Sequence, residues 1–378
     1  MNIEKKHTLV DTQSGKECIL ILYSNKVLIE NIKDSKSKAT EKEFATSAEA
    51  LTFFSKKEWE LLKKGFVLRN KNASIGEPVL HYYVGSGYTG CLAFDTTPNG
   101  IYVYKHGWFK TAADQKDFLS LIDIEGNLIE TIELPKILAW DIQYNAVKDA
   151  LLLDTDHFIF EYSLATKKFN SLTKGFSKPV SFISVSSERY AFGSHPQLYV
   201  FDKDTVLLKH TFDVEIVRGH LPFEVVLSKN GQWIAFHNQE NEIKVIQVSD
   251  DKVVKHITGE FGVISQMEFA ENDTILVVRS YGWPWSIRYF DLVNGNELAM
   301  SELQIPSHSQ QASWFCFNGD QSKLVIVQNK KAFVFDFLNK TFLYNFQIEH
   351  SVKTARPKFV NDLLGFRTDY GCFSLYQV

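Results

Sequence analysis

A short strand ending recurs seven times along this 378-residue chain, and its spacing constrains the fold more than any other feature. The copies are LSLID (119–123), IFEYS (159–163), YVFD (199–202), KVIQ (244–247), RYFD (288–291), FVFD (333–336) and SLYQ (374–377). Aligned on their last residues, Asp123, Ser163, Asp202, Gln247, Asp291, Asp336 and Gln377, they stand 40, 39, 45, 44, 45 and 41 residues apart. Several short strands in each period of roughly 40–45 residues is the pattern of a β-propeller built from four-stranded blades. The period predicts the architecture and leaves the activity open.

Composition agrees with that reading. The 30 Phe and 15 Tyr suit half-buried pleated surfaces better than helices. Residues 1–75 hold 14 Lys/Arg against 10 Asp/Glu, while the remainder holds 27 against 35. The acidic remainder argues against a general binder of phosphate backbones and leaves that question to the basic first segment alone. The start MNIEKKHTLVDTQ has no apolar signal core, and no run approaches the ~20 apolar residues of a membrane span. Cys18, Cys91, Cys316 and Cys372 stand far apart without a CxxC pair, which favours reduced, buried thiols in a cytoplasmic protein.

The first 70 residues read as a small α+β domain. ECILILYS (17–24) and KVLIENI (26–32) flank a turn at Ser24-Asn25, as a hairpin would. A polar stretch, KDSKSKATEKE, follows, and then a helix from about Ser47 to Lys64. Thr46 and Glu49 form a capping box, Ala50, Leu51, Phe54, Leu61 and Leu62 share one side, and Gly65 ends the helix. FATSAEALTFFSKKEWELLKKGF (44–66) resembles the C-terminal half of a WGR domain, matched through Phe44, Ala50 and Lys56/Lys57. The Trp-Gly-Arg triplet that names the family is missing: KDSKSKATE stands in its place. In poly(ADP-ribose) polymerases such domains contact nucleic acid and neighbouring domains, so the resemblance implies Lys33, Lys36, Lys38, Lys56 and Lys57 as a candidate nucleic-acid footprint. The competing reading is a solvated basic helix packed on its own hairpin.

KNASIGEP (71–78) reads as a linker, giving residues 1–70, a link at 71–77 and a propeller at 78–378. Each repeat can be read as strands a, b, c and d. The clearest is FEVVLS (223–228), QWIAFHN (232–238), EIKVIQVS (242–249) and KVVKHI (252–257), with a Lys229-Asn230-Gly231 turn between the first two. With Gly219-His220 upstream, this repeat resembles those of WD-repeat propellers. No repeat has the Trp-Asp pair, and Phe-Asp closes three of the endings instead. The last repeat ends without a fourth strand, while PVLHYYV (78–84) precedes the first repeat unpaired. An open sheet edge exposes unpaired amides, so 80–84 is expected to pair with the C-terminal strand and complete a seventh blade. The expected fold class is mainly β, a seven-bladed WD-repeat-like propeller behind a WGR-like α+β domain.

In WD-type propellers one face collects the d–a and b–c connections. Those segments bring Tyr88, Trp108, Arg218, Tyr281, Trp283, Trp285 and Tyr370 to one rim, with Pro284 stiffening the loop between two indoles. Exposed Trp and Tyr are enriched at binding hot spots, although they can also fold back on neighbouring loops. Catalytic signals are poor. His106, His157, His195 and His220 come from different blades at no diagnostic spacing, Asp141 and Glu224 could pair across a channel, and GSGYTG (85–90) lacks the lysine and helix of a phosphate loop. The expectation is a non-catalytic scaffold for a protein or peptide, with no cofactor, metal or membrane. The alternatives are a propeller enzyme using channel His, Asp and Glu, and nucleic-acid binding through the basic module.

Overall fold

The structure is a computed structural model, and it describes residues 3–85, 91–107, 116–155, 158–173, 181–194, 197–212, 224–237, 241–281, 285–305, 313–351, 355–367 and 371–378. The chain divides into two compact units. One comprises Met1–Leu92, Thr96–Glu133 and Asn345–Val378, the other Ala93–Asp95 and Leu134–Tyr344.

The first unit opens with strands β1 (Lys5–Asp11), β2 (Glu17–Tyr23), β3 (Lys26–Lys33) and β4 (Lys36–Glu43), then helix α1 (Ser47–Leu62), β5 (Phe66–Arg69) and β6 (Pro78–Gly85). Tyr23 pairs with Lys26 across a two-residue turn in which Ser24 has φ 45°, as the hairpin reading requires. The polar stretch forms β4, paired with β3 from Lys33↔Lys36 to Lys26↔Glu43. It lacks an apolar alternation because every residue of it is exposed at the sheet edge, where lysines discourage further pairing. Thr46 caps α1, its hydroxyl accepting from the Glu49 amide at 3.2 Å. The Glu49 carboxylate returns to the Ala45 amide, one residue before the expected one. Ala50, Phe54, Leu61 and Leu62 bury against Leu9, Leu20, Leu22 and Leu68, which makes the core of this unit.

Residues 71–77 join two strands of one sheet: β5 and β6 pair antiparallel through Leu68↔His81 and Arg69↔Leu80. Near the C-terminus lie β31 (Arg356–Val360), β32 (Leu363–Arg367) and β33 (Gly371–Gln377). β33 pairs with β6, with Leu80 opposite Leu375 and Tyr83 opposite Cys372. The result is a nine-stranded sheet in the order β31-β32-β33-β6-β5-β1-β2-β3-β4.

The remaining strands fall into four-stranded antiparallel sheets, each made of strands consecutive in sequence. β7 (Cys91–Thr97), β8 (Gly100–Lys105), β9 (Asp117–Ile122) and β10 (Leu128–Leu134) form the first. Five more belong to the second unit. β11 (Ala139–Asn145), β12 (Ala150–Thr155), β13 (Ile159–Ser163) and β14 (Phe169–Ser171) precede β15 (Ser181–Val185), β16 (Tyr190–Ser194), β17 (Gln197–Asp202) and β18 (Thr205–Thr211). β19 (Val225–Leu227), β20 (Trp233–His237), β21 (Glu242–Gln247) and β22 (Lys252–Thr258) come next. β23 (Val263–Ala270), β24 (Ile275–Tyr281), β25 (Trp285–Asp291) and β26 (Glu297–Leu298) follow them. β27 (Trp314–Phe317), β28 (Lys323–Gln328), β29 (Lys331–Asp336) and β30 (Thr341–Gln347) complete the series.

This is a β-propeller fold with six separate four-stranded blades among the described residues. Of the expected seven blades, six stand as separate sheets. The physical reason is the partner of β6: its outer edge is hydrogen-bonded to β5, so the last set of strands does not end as a free blade but runs into the N-terminal sheet.

Blades of the second unit are packed by side chains that alternate along each strand. Val200, Leu208, Val225, Ile234, Phe236 and Ile246 share one buried cluster. Val277, Tyr289, Phe315, Phe317, Ile326 and Phe335 share another. Innermost strands are also stitched by side chains that bond a neighbour's backbone. The Ser184 hydroxyl accepts from the Leu227 amide at 2.9 Å, and the Gln321 amide donates to the Phe269 carbonyl at 2.7 Å.

Candidate functional site

Most of the expected rim lies outside the described residues: Tyr88, Trp108, Arg218, Trp283 and Tyr370, with His157, His195 and His220. Tyr281 and Trp285 are placed by their backbones, the last residue of β24 and the first of β25, and they pair with each other across the b–c connection. Of the four histidines only His106 is described. His106 is buried and its Nδ1 lies 2.6 Å from Asp117 Oδ1, while Asp117 also accepts from Tyr104 Oη and the Gly107 amide. That geometry ties down the end of β8. Asp141 accepts from Gln143 Nε2 at 2.9 Å, and Glu224 acts electrostatically on Arg279.

The described part of the same edge carries aromatic residues that the sequence reading passed over. Trp140 stands at the start of β11, where a d–a connection arrives, and is 38% exposed. Phe158 stands just before β13 in a b–c connection and is 44% exposed. Both belong to one end of one blade, because Ala139 pairs with Thr155 and the Thr155 hydroxyl and amide hold the Phe158 carbonyl at 2.8 and 3.0 Å. Phe158 continues into an aromatic row, 6.2 Å from Phe160, which stacks on Phe169 at 4.8 Å. His157 marked this connection in the sequence, but nothing there distinguished an exposed Phe from a packed one.

Three blades further on, Arg279 is fixed near the corresponding end. Its guanidinium lies 3.9 Å from the centre of the Trp314 ring and donates to the Ser313 carbonyl and the Ser265 hydroxyl. Burial lowers its pKa to about 9, against the opposing effect of Glu224. The contacts lock the start of β27 to the blade before it.

The five candidate lysines fall in two groups. Lys33 and Lys36 are directly cross-strand at the β3–β4 turn with Lys38 beside them, while Lys56 and Lys57 lie on α1. Carboxylates are interspersed with them: Lys57 pairs with Glu60 at 3.8 Å, and Glu41 and Glu43 flank Lys26.

Among the described residues, a dense group of titratable side chains in the first unit was not anticipated. Glu58 on α1, His81 on β6, and Glu349 and His350 ahead of β31 each offer a ligand atom, all within 4.8 Å of one another. Glu58 and His81 are buried. Glu58 binds His350 Nε2 at 2.5 Å through one oxygen and His7 Nδ1 through the other. Glu349 pairs with Lys5, and its amide donates to the Tyr376 hydroxyl at 2.7 Å. Burial would raise the Glu58 pKa, but His7 and His350 overcome it and hold the carboxyl well below the usual range. Burial likewise opposes ionisation of Glu349, yet His81 and Lys5 bring it to about 2. Burial pushes the His81 pKa down, favouring the neutral ring. These residues are separated in sequence by up to 292 positions, and no local spacing betrays them.

No known family model matches this chain, and no curated protein shows a significant match to it. The class is set by the fold: a β-propeller protein, an architecture commonly used as a protein-interaction scaffold. No helix among the described residues is long and apolar enough to cross a membrane.

Proposed function

We propose that this protein is a non-catalytic scaffold that binds a protein or peptide along the blade edge formed by the d–a and b–c connections. The observation that carries the reading is the pair of exposed aromatics, Trp140 and Phe158, at one such edge of a single blade. A large aromatic held by regular strands loses little conformational freedom on binding, which is why such residues serve as anchors. Tyr281 and Trp285 belong to the same proposed edge, as the register pair that closes the b–c connection between β24 and β25.

The finer architecture is part of this proposal. β31, β32, β33 and β6 are four antiparallel neighbours in the manner of the six free blades, and we count them as a seventh, WD-repeat-like blade. The first 70 residues serve, on this reading, as a WGR-like mount for it. Nucleic-acid binding by that mount is not favoured, because Glu41, Glu43 and Glu60 sit among its lysines. A cytoplasmic location is supported by four buried cysteines, none of them in a disulfide among the described residues.

Peptide-display selection against the full chain, repeated on a Trp140→Ala/Phe158→Ala variant, tests the reading. Selected ligands should lose about tenfold or more in affinity for the variant, equivalent to about 1.4 kcal/mol, while its melting temperature stays close to wild type. Ligands that bind both proteins equally would move the docking surface elsewhere.

A further inference from the structure

We propose that Glu58, His81, Glu349 and His350 bind one divalent transition-metal ion of the zinc type, which clasps α1, β6 and the segment before β31 together. The inference is independent of the docking edge, which lies in the second unit.

The first support is His81. Its ring is 0% exposed, and Nδ1 lies 2.7 Å from the Ser374 hydroxyl. His81 and Ser374 are also register partners between β6 and β33, so the backbone fixes that contact. In the tautomer whose Nδ1–H donates to serine, the lone pair sits on Nε2. Among the described residues that atom is buried without a hydrogen-bond partner, 3.7 Å from Glu349 Oε2. A buried imidazole nitrogen with an unused lone pair, held by a hydrogen bond on the opposite nitrogen, is the arrangement by which histidine presents itself to a metal.

The second support is the chemistry of the other donors. Two imidazoles and two carboxylates make an N₂O₂ set, which suits zinc and its neighbours better than magnesium or calcium. Four ligand atoms around zinc at about 2.0–2.2 Å stand roughly 3.3 Å apart, so the present span of up to 4.8 Å closes with small side-chain movements. The two carboxylate charges would be balanced by the ion where burial otherwise makes them costly. All four protein ligands are used, which leaves no open position and makes the site structural.

The outer shell is already in place. His7 holds the second Glu58 oxygen, Lys5 holds Glu349, and Trp59 stacks on His350 with ring centres 5.3 Å apart. Gly371 lets β33 pass close by. A Cβ there would meet the His350 carbonyl at 2.8 Å and the Trp59 ring at 3.0 Å.

Full-length protein stripped with a chelator should take up one equivalent of zinc by calorimetry, and its melting temperature should rise by about 2–4 °C or more at saturation. Cobalt(II) in place of zinc should give the intense visible bands of a four-coordinate site. His350→Gln and His81→Gln should each remove the uptake, the bands and the thermal shift. Should His81→Gln fail to fold, His350→Gln decides, because that ring is 10% exposed where His81 is fully buried. Absence of stoichiometric uptake, or uptake unchanged in His350→Gln, would overturn the site. Binding with no thermal shift would overturn the clasp.

Discussion

Asp336 and Asn339 grip each other across the turn that ends β29: the Asn339 amide donates to Oδ1 and its side-chain amide to Oδ2, both at 2.8 Å. The same pair recurs at Asp291, which accepts from the Asn294 amide at 3.0 Å and its side chain at 2.8 Å. Asp123 accepts from the Asn127 amide at 2.8 Å and its side chain at 2.7 Å. The aspartate that recurs at the strand endings is thus a turn-builder, satisfying amides that the strand has left behind.

These hydrogen bonds favour the charged carboxyl. The Asn294 bonds lower the pKa of Asp291, and the Asn339 bonds lower that of Asp336. A depressed folded-state pKa contributes stability above the unfolded value, near 3.8, and loses it as pH falls through the folded value. An Asp291→Asn/Asp336→Asn variant should therefore lose less stability than wild type between pH 4.5 and about 3. Parallel acid limbs in thermal melts of the two proteins would show the turns to be indifferent to charge.

Gln266 and Phe315 make the most complete stitch between neighbouring blades. The glutamine amide donates to the Phe315 carbonyl at 2.7 Å, and its oxygen accepts from the Phe315 amide at 3.3 Å. Gln266→Leu keeps the volume but leaves two backbone groups of a buried strand unmet, at a cost of about 2 kcal/mol. Denaturant unfolding should read that loss, and amide exchange at Phe315 should quicken. An unchanged midpoint would mean that water replaces the glutamine.

The repeat, the Ser24-Asn25 hairpin, the helix and its cap were legible because each is a local pattern: a period, a turn dipeptide, a side chain three residues from its amide. β4 was hidden because its eight residues are all exposed and carry no alternation of apolar and polar. The continuity of β5 with β6 was hidden because a Pro- and Gly-bearing loop reads alike as a linker or a hairpin turn. The Glu58–His350 cluster joins residues from the two ends of the chain, and only the folded sheet brings them together. Trp140 and Phe158 look in sequence like any of the aromatics that fill the blades. Their exposure is a property of the finished surface.

His237 predicts a distinct pH response. The ring is buried in β20, and neither nitrogen has a hydrogen-bond partner among the described residues. Burial lowers its pKa from 6.5 to about 4, with Glu242 opposing. The unfolded chain thus binds a proton more readily than the folded one, so stability is lost as pH falls below 6.5 and the loss saturates near 4. By pH 5 that amounts to about 2 kcal/mol. His237→Leu should flatten this part of the profile and raise stability at pH 5 relative to wild type. Equal slopes for both proteins between pH 7 and 5 would assign the acid sensitivity to other groups.

Removing the last strand should be far more damaging than its seven residues suggest. β33 lies between β32 and β6, and Phe373, Leu375 and Tyr376 on it are fully buried. Deleting residues 372–378 would leave two strand edges without partners and expose the core residues they cover, a change that no local repacking offsets. The truncated chain should lose the cooperative unfolding transition of the first unit. A gentler version is Tyr376→Phe, which removes only the hydroxyl that accepts from the Glu349 amide at 2.7 Å. Its expected cost is about 1–2 kcal/mol, because the ring stays and one buried amide goes unmet. If the truncation melts like the intact chain, β33 is an ornament on the sheet. If Tyr376→Phe is neutral while the truncation unfolds, the strand acts through its apolar side chains and backbone pairing alone.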